Sequence, residues 1–325
     1  MMKKTTTLLL LCGIACSFAS FSPIHPPVRP RQKSAIHTII IDPGHGGFDH
    51  GCKGLFSKEK DVTLAISLKL GKAIQEAYPD IKLVYTRTTD IMPGNMPTVR
   101  TGLRYRADLA NKSKGDLFLC IHANATPYSA GTYAVHKVIG HKMAGKGRRR
   151  KRVPVYDTHY VKNTRVGTET LIWKAMWGEY KGSVINQNDS GEENMGDSAA
   201  ESIDMTSPEA RIRAQLYEKK YFANSAFFGQ LVQNEFVRSG RVSEGVQQRE
   251  VGVWVLEATG MPSVLVETGY LTNKEEEEYL NSDDGQAEVV RNILDALKHY
   301  KDSLEGHGDA TGRRTGSLLP SHIAR

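Results

Sequence analysis

Apolar positions along this chain fall into two alternating rhythms. Residues 35–41 form a β-branched apolar run that stops abruptly at Asp42-Pro43-Gly44-His45-Gly46-Gly47. That reads as a buried strand ended by a Gly/Pro turn. Residues 61–78 follow with Val62, Ile66, Leu70, Ala73 and Ala77 at helical spacing. A strand over 81–86, a helix over 97–112 and a strand over 115–122 continue the pattern. Strand–helix alternation of this kind predicts an α/β fold, a mostly parallel twisted sheet flanked by helices on both faces. Further on, 167–173, 251–257 and 263–267 read as strands. Residues 208–238 read as a long helix with Pro208 at its start and Leu216, Ala223, Phe227 and Leu231 on one side. Val290, Ile293, Leu294 and Leu297 stripe a closing helix over 286–303.

The rhythm is broken in two places. Residues 127–166 are rich in Gly, Lys and Arg, too long for an unstructured loop within a domain, and read as an insertion. Residues 182–207 are polar and acidic and read as a separate lobe. A single domain with an insertion is therefore expected over 35–303, with a tail over 304–325 that has little to bury. Ahead of it, two lysines precede a short uncharged, Leu-rich run, the pattern of a signal peptide over 1–19, and four prolines mark a linker over 20–34. The run is well short of the ~20 residues that cross a bilayer as a helix. Export across the inner membrane is the expectation, with lipid modification of Cys16 the one route to membrane contact.

Composition changes this picture little, and charge changes it more. A content of 39% hydrophobic and 24% charged residues is that of an ordinary globular protein. The net charge of +7 is uneven: Arg148-Arg149-Arg150-Lys151-Arg152 form a basic block, while residues 192–204 are acidic. A basic surface suits an anionic polymer. No nucleic-acid role is expected, because export removes that partner. Of four cysteines, only Cys52 and Cys120 lie beyond the signal segment. Two are too few for a disulfide scaffold and lack zinc-ribbon spacing. They either pair in an oxidising compartment or sit as two small buried residues.

Open α/β sheets carry their sites where strands end on the carboxyl side. His45 follows the first strand, His122 and Asn124 end the third, and Glu267 ends the last; Glu59 adds a carboxylate just before the first helix. Two neutral imidazoles and one carboxylate suit Zn²⁺ with a position left for water. A further carboxylate that does not ligate the metal can move the proton. Alone, His122 reads by default as a core histidine, and Glu59 as a charge favoured near a helix N-terminus.

Six motifs in order carry a resemblance. They are Ile39 to Gly47, Glu59-Lys60-Asp61-Val62, Thr86 to Asp90, Arg106 to Asn111, Ile121-His122-Ala123-Asn124, and Val264 to Asn273. Together they resemble the zinc-dependent N-acetylmuramoyl-L-alanine amidases that separate daughter cells. The resemblance implies one Zn²⁺ per chain held by His45, Glu59 and His122, with Glu267 as the catalytic carboxylate and peptidoglycan as substrate. Arg106 and Asn124 match positions that orient structure or substrate near the site. For the acidic lobe it implies that Glu192, Glu193 or Glu201 blocks the zinc until an activator with a degenerate metallopeptidase-like domain binds; a solvated loop is the other reading of that segment. A periplasmic location goes with this reading. Two departures stand out: Cys120 occupies a position where serine is common, on the side of His122, and the 127–166 insertion lies outside the family's core pattern. A zinc peptidase cutting within the stem peptide and a non-catalytic wall-binding protein are the rival readings.

Overall fold

A computed structural model describes residues 35–173, 208–249 and 253–306. The expectations for the signal segment, the linker, the acidic lobe and the tail beyond Gly306 lie outside the described residues. Six strands form one sheet in the order β2-β1-β3-β8-β6-β7. They are β1 (Thr38–Pro43), β2 (Lys82–Tyr85), β3 (Leu117–Asn124), β6 (Thr168–Ile172), β7 (Ser243–Gln248) and β8 (Ser263–Tyr270). The first four in that order run parallel, β6 turns antiparallel against β8, and β7 runs parallel to β6. The sheet is thus mostly parallel, as the alternation predicts.

Successive side chains on a strand point to opposite faces, and the two apolar layers follow that rule. On one face Ile39, Ile41, Leu119, Ile121, Val264 and Val266 pack against helices α1 (Glu59–Ala77), α3 (Pro208–Arg238) and α6 (Asp283–Gly306). On the other, Ile40, Phe118, Cys120, Leu171 and Leu265 pack with residues of α2 (Val99–Lys112) and the short α4 (Trp254–Glu257). Helices therefore cover both faces. α2 starts in a reciprocal cap, in which Thr98 and Thr101 satisfy each other's backbone N–H groups. Asn273 caps α5 (Lys274–Asn281) by accepting from Glu275 and Glu276.

Three sequence expectations need correction, and the insertion, for which the sequence names no elements, gains them. The 251–257 strand is the helix α4 over its described part, because a short apolar run does not reveal its period and Val255 and Leu256 are buried in the α2-side layer. The stripe of α3 is offset: Leu216, Ala223 and Phe227 are exposed, while Phe228, Val232 and Phe236 are fully buried beside α6 and the sheet. The closing helix reaches Gly306, taking in the first residues assigned to the tail. The basic insertion is ordered, as a long antiparallel ribbon of β4 (Thr132–Ala144) and β5 (Lys151–Lys162). β7 and α5 are elements that periodicity did not reveal. Among the described residues no helix is long and apolar enough to cross a membrane.

Candidate metal centre at the carboxyl edge of the sheet

The face that carries Ile40, Phe118, Leu171 and Leu265 turns polar at the strand ends. Asp42, His122, Glu267 and Glu169 follow on the same side of β1, β3, β8 and β6, with His122 opposite Glu267 and Glu267 opposite Glu169 in the strand register. A row of apolar side chains thus ends in a row of titratable ones.

His45 sits just past β1 in a left-handed backbone conformation, φ 59°. Such a φ is uncommon outside glycine and is kept where the surroundings enforce it. Here Arg106 and Arg87 enforce it. Arg106, buried on α2, donates to the Pro43 and His45 carbonyls and pairs with the buried Asp42 carboxylate. Arg87 donates to the carbonyls of Gly44 and Lys60 at 2.7 and 2.8 Å. One glycine is dictated by close approach: a Cβ on Gly44 would lie 2.6 Å from His122 Nε2.

The imidazole of His45 is held at Nδ1 by Asp49, 2.9 Å away, which leaves Nε2 facing Glu59 Oε2 at 3.1 Å. Glu59 Oε1 faces His122 Nδ1 at 2.8 Å and also accepts from the Ala123 amide, while its Oε2 accepts from the Cys52 amide. The ligand atoms of His45, Glu59 and His122 all lie within 4.8 Å of one another. In a tetrahedral zinc site with bonds of about 2.0–2.1 Å, ligand atoms stand roughly 3.3 Å apart, so this set fits a divalent ion. A carboxylate behind a ligating imidazole, as Asp49 stands behind His45, is the usual orienting partner.

The charges here hold one another. Burial opposes ionisation of Glu59, yet the His122 and His45 hydrogen bonds outweigh it and hold the carboxyl well below its ordinary range. Burial likewise opposes charge on His45, but Asp49 and Glu59 raise it to about 9. Glu267 goes the other way: burial first, then the Glu59 charge, push it up to about 8 against the pull of Arg249. Its Oε2 is buried with no hydrogen-bond partner, an orphan acceptor in a dry place where protonation is favoured.

Asn124 points at Glu169, donating to Oε1 at 2.8 Å, and Arg249 just beyond β7 donates to the same oxygen at 3.0 Å and to Glu267 at 3.4 Å. Cys120 is fully buried and donates to Asp42 rather than reaching the triad, and Cys52 and Cys120 are both free thiols. Glu192, Glu193 and Glu201 lie outside the described residues. Sequence reasoning missed Asp49, Glu169 and Arg249. Asp49 had a signal, an acid four residues after His45 in the same glycine turn; Glu169 and Arg249 had none. A cavity of about 230 Å³ opens beside the centre, lined by Asp42, His45, Arg106, Cys120, His122 and Leu265 among others.

The sequence model of the N-acetylmuramoyl-L-alanine amidases matches residues 39–299. The chain belongs to that family. It is 29% identical over 265 residues to the N-acetylmuramoyl-L-alanine amidase AmiC of Escherichia coli O6:H1, covering 81% of this chain and 52% of the relative. To AmiA of Salmonella typhimurium it is 24% identical over 291 residues, covering 87% and 83%. The chain spans about half the length of AmiC and of the probable amidase AmiB of Haemophilus influenzae, 52% and 51%. The amidase of Clostridium difficile 630 shares the fold, with a TM-score of 0.51 at 23% identity over 83% of this chain and 99% of that one. So does the CwlD amidase of Clostridioides difficile, solved in complex with the GerS lipoprotein, with a TM-score of 0.51 at 20% identity over 82% and 99%.

Proposed function

We propose that this chain hydrolyses the amide bond between N-acetylmuramic acid and L-alanine in peptidoglycan, with one Zn²⁺ held by His45, Glu59 and His122. The observation that carries the reading is the convergence of these three donors on one point beside a buried, unpaired oxygen of Glu267. Family membership supports the particular bond.

Bound to these donors, zinc supplies a water of lowered pKa and a Lewis acid for the carbonyl oxygen. Glu267 takes the proton from the attacking water and returns it to the departing L-alanine nitrogen. A carboxyl pushed up toward neutral pH suits both transfers. Asp49 fixes the His45 ring through Nδ1, and Arg106 pins the turn that carries it, a positioning role rather than a substrate contact. Asn124 and Arg249 set Glu169 in place, and Arg249 also donates to Glu267.

Export to the periplasm for wall remodelling or daughter-cell separation is supported by the basic and then apolar N-terminus, with Cys16 the residue a lipid anchor uses. We assign the acidic segment 182–207 a regulatory role, with Glu192, Glu193 or Glu201 occupying the centre until an activator protein binds. Deleting residues 183–207 then releases muropeptides without activator; unchanged release removes that role.

Metal analysis of the purified protein, combined with mass analysis of digested sacculi, tests the main reading. Roughly one zinc per chain and whole stem peptides freed from glycan are expected. Shortened stems would reassign the enzyme as a peptidase. Glu267→Gln is expected to lower turnover by at least about a hundredfold while sparing zinc and wall binding; turnover retained in that variant removes Glu267 from the chemistry.

A further inference from the structure

The β4–β5 ribbon supplies none of the three donors of the metal centre, yet it concentrates charge and exposed apolar groups. Its strands carry the register Thr132↔Lys162 to Ala144↔Lys151, with a bulge at Ile139, and pack chiefly on each other. At about 3.3 Å per residue, a 13-residue strand places the turn ~40 Å from the base. Residues 132–162 hold nine Lys and Arg against Asp157 alone; the chain as a whole has 43 against 36, so the remaining 34 and 35 balance. The whole excess of positive charge sits on this arm. It is concentrated at the end, where six of the seven residues 146–152 are cationic.

Between those cations the strands expose apolar side chains. Ile139 is 63% exposed, and Val138, Met143, Tyr156 and Tyr160 are about half exposed or more. Val138 lies opposite Tyr156, and Met143 opposite Arg152, so apolar and cationic groups share one side.

We propose that this ribbon docks the protein on an anionic phospholipid surface. A soluble polyanion engages the cations but leaves bare apolar groups such as Ile139 and Met143 in water. A bilayer interface takes both. Lipid phosphates meet Lys and Arg, at about 1 kcal/mol per cation near the surface. Tyrosines favour the headgroup level, and short aliphatic side chains enter the boundary beneath it. The ribbon lies on the surface and does not cross it, because both of its outer edges carry unpaired backbone groups that hydrocarbon does not tolerate. It joins the carboxyl end of β3, which carries His122, to the start of β6, which carries Glu169, so docking ties the carboxyl edge of the sheet to the membrane surface.

The test is co-sedimentation of the full chain with vesicles of phosphatidylcholine alone or mixed with phosphatidylglycerol, at low and high salt. Binding is expected only to the mixed vesicles and to fall with salt, since exposed charges are screened beyond ~10 Å at 0.1 M. Replacing Arg148, Arg149, Arg150, Lys151 and Arg152 together by Gln weakens it by more than about tenfold. Replacing the four arginines by Lys preserves it, because lipid attraction reads charge. Ile139→Ser with Met143→Ser weakens vesicle binding severalfold and leaves polyphosphate binding unchanged. Equal binding to neutral vesicles, no binding to either, or unchanged binding of the Gln variant each overturns the proposal. So does a preference for polyphosphate or isolated sacculi with no effect of the serine pair on vesicles. Hydrolysis of soluble muropeptides by the Gln variant stays at the wild-type rate, so this outcome is independent of the chemistry at the strand ends.

Discussion

The carboxyl edge of the sheet and the β4–β5 ribbon grow from the same strands, yet they hold their charges by opposite means. At the edge, Asp42, Glu59, Arg106 and Glu267 are all buried, and each charge but one has partners on several sides. On the ribbon, the cations of the tip are exposed, and among the described residues no acid pairs with them. In the first region position is enforced by the neighbours, so removing one group leaves others exposed to the cost of burial. In the second, each charge acts alone through a field that salt can cancel. Function follows the difference: a site that must hold atoms within fractions of an ångström needs the first, and a surface that must find a diffuse partner needs the second.

Breaking the edge is the sharpest way to probe this contrast. Glu59→Gln keeps the shape but removes the charge between His45 and His122. Zinc retention after dialysis is expected to fail, and amide hydrolysis is expected to drop by at least about a thousandfold, equivalent to about 4 kcal/mol of barrier. Wild-type turnover in this variant means the centre lies elsewhere. Arg106→Ala tests the support beneath the centre. It leaves Asp42 as a buried carboxylate without its main counter-charge, a loss of about 3–5 kcal/mol. In a domain of this size that lowers Tm by more than about 5 °C. A smaller shift, measured by thermal unfolding of metal-free protein, shows that Asp42 finds compensation from Thr86 and Cys120.

How much of this was legible before the structure follows from where the information lies. His45, Glu59, His122 and Glu267 stand at the ends of locally periodic segments, so strand–helix alternation alone brings them to one edge. Glu169 and Arg249 arrive through β6 and β7, whose places are set by pairing with β8, and no local pattern announces a distant partner. The ribbon was hidden for a different reason. Both of its faces meet water, so it lacks the clean alternation that marks a half-buried strand, and it reads only as an insertion. Phe228 rather than Phe227 faces inward on α3 because apolar residues surround that helix and only tertiary packing chooses among them.

The unpaired oxygen of Glu267 allows a finer test, this time of pH. Its carboxyl, raised by burial to about 8 in the metal-free protein, ionises at ordinary acidic pH once the chain unfolds. Below the unfolded value both states hold the proton and the group is neutral in effect. As pH rises from there toward 8, the unfolded state gains and the folded state loses by comparison. Glu267→Gln removes this penalty, so metal-free variant and wild type unfold alike near pH 4, and the variant is the more stable by on the order of 1–3 kcal/mol above pH 8. Urea unfolding at several pH values measures the gap, and a constant gap would mean that folding leaves the Glu267 carboxyl unshifted.

The smallest effect is expected on the ribbon, and it completes the comparison. Neutralising residues 148–152 removes five charges, more than any change at the edge, but all five are exposed, and the bond of Arg152 to His141 stays within the ribbon. Substitutions at such positions stay within about 0.5 kcal/mol each, and here mutual repulsion among the cations is relieved at the same time. Tm is therefore expected to move by less than about 2 °C, and upward if at all at low salt. A fall of the size expected for Arg106→Ala would show that the tip packs on the body of the protein, and the two regions would then have to be understood as one.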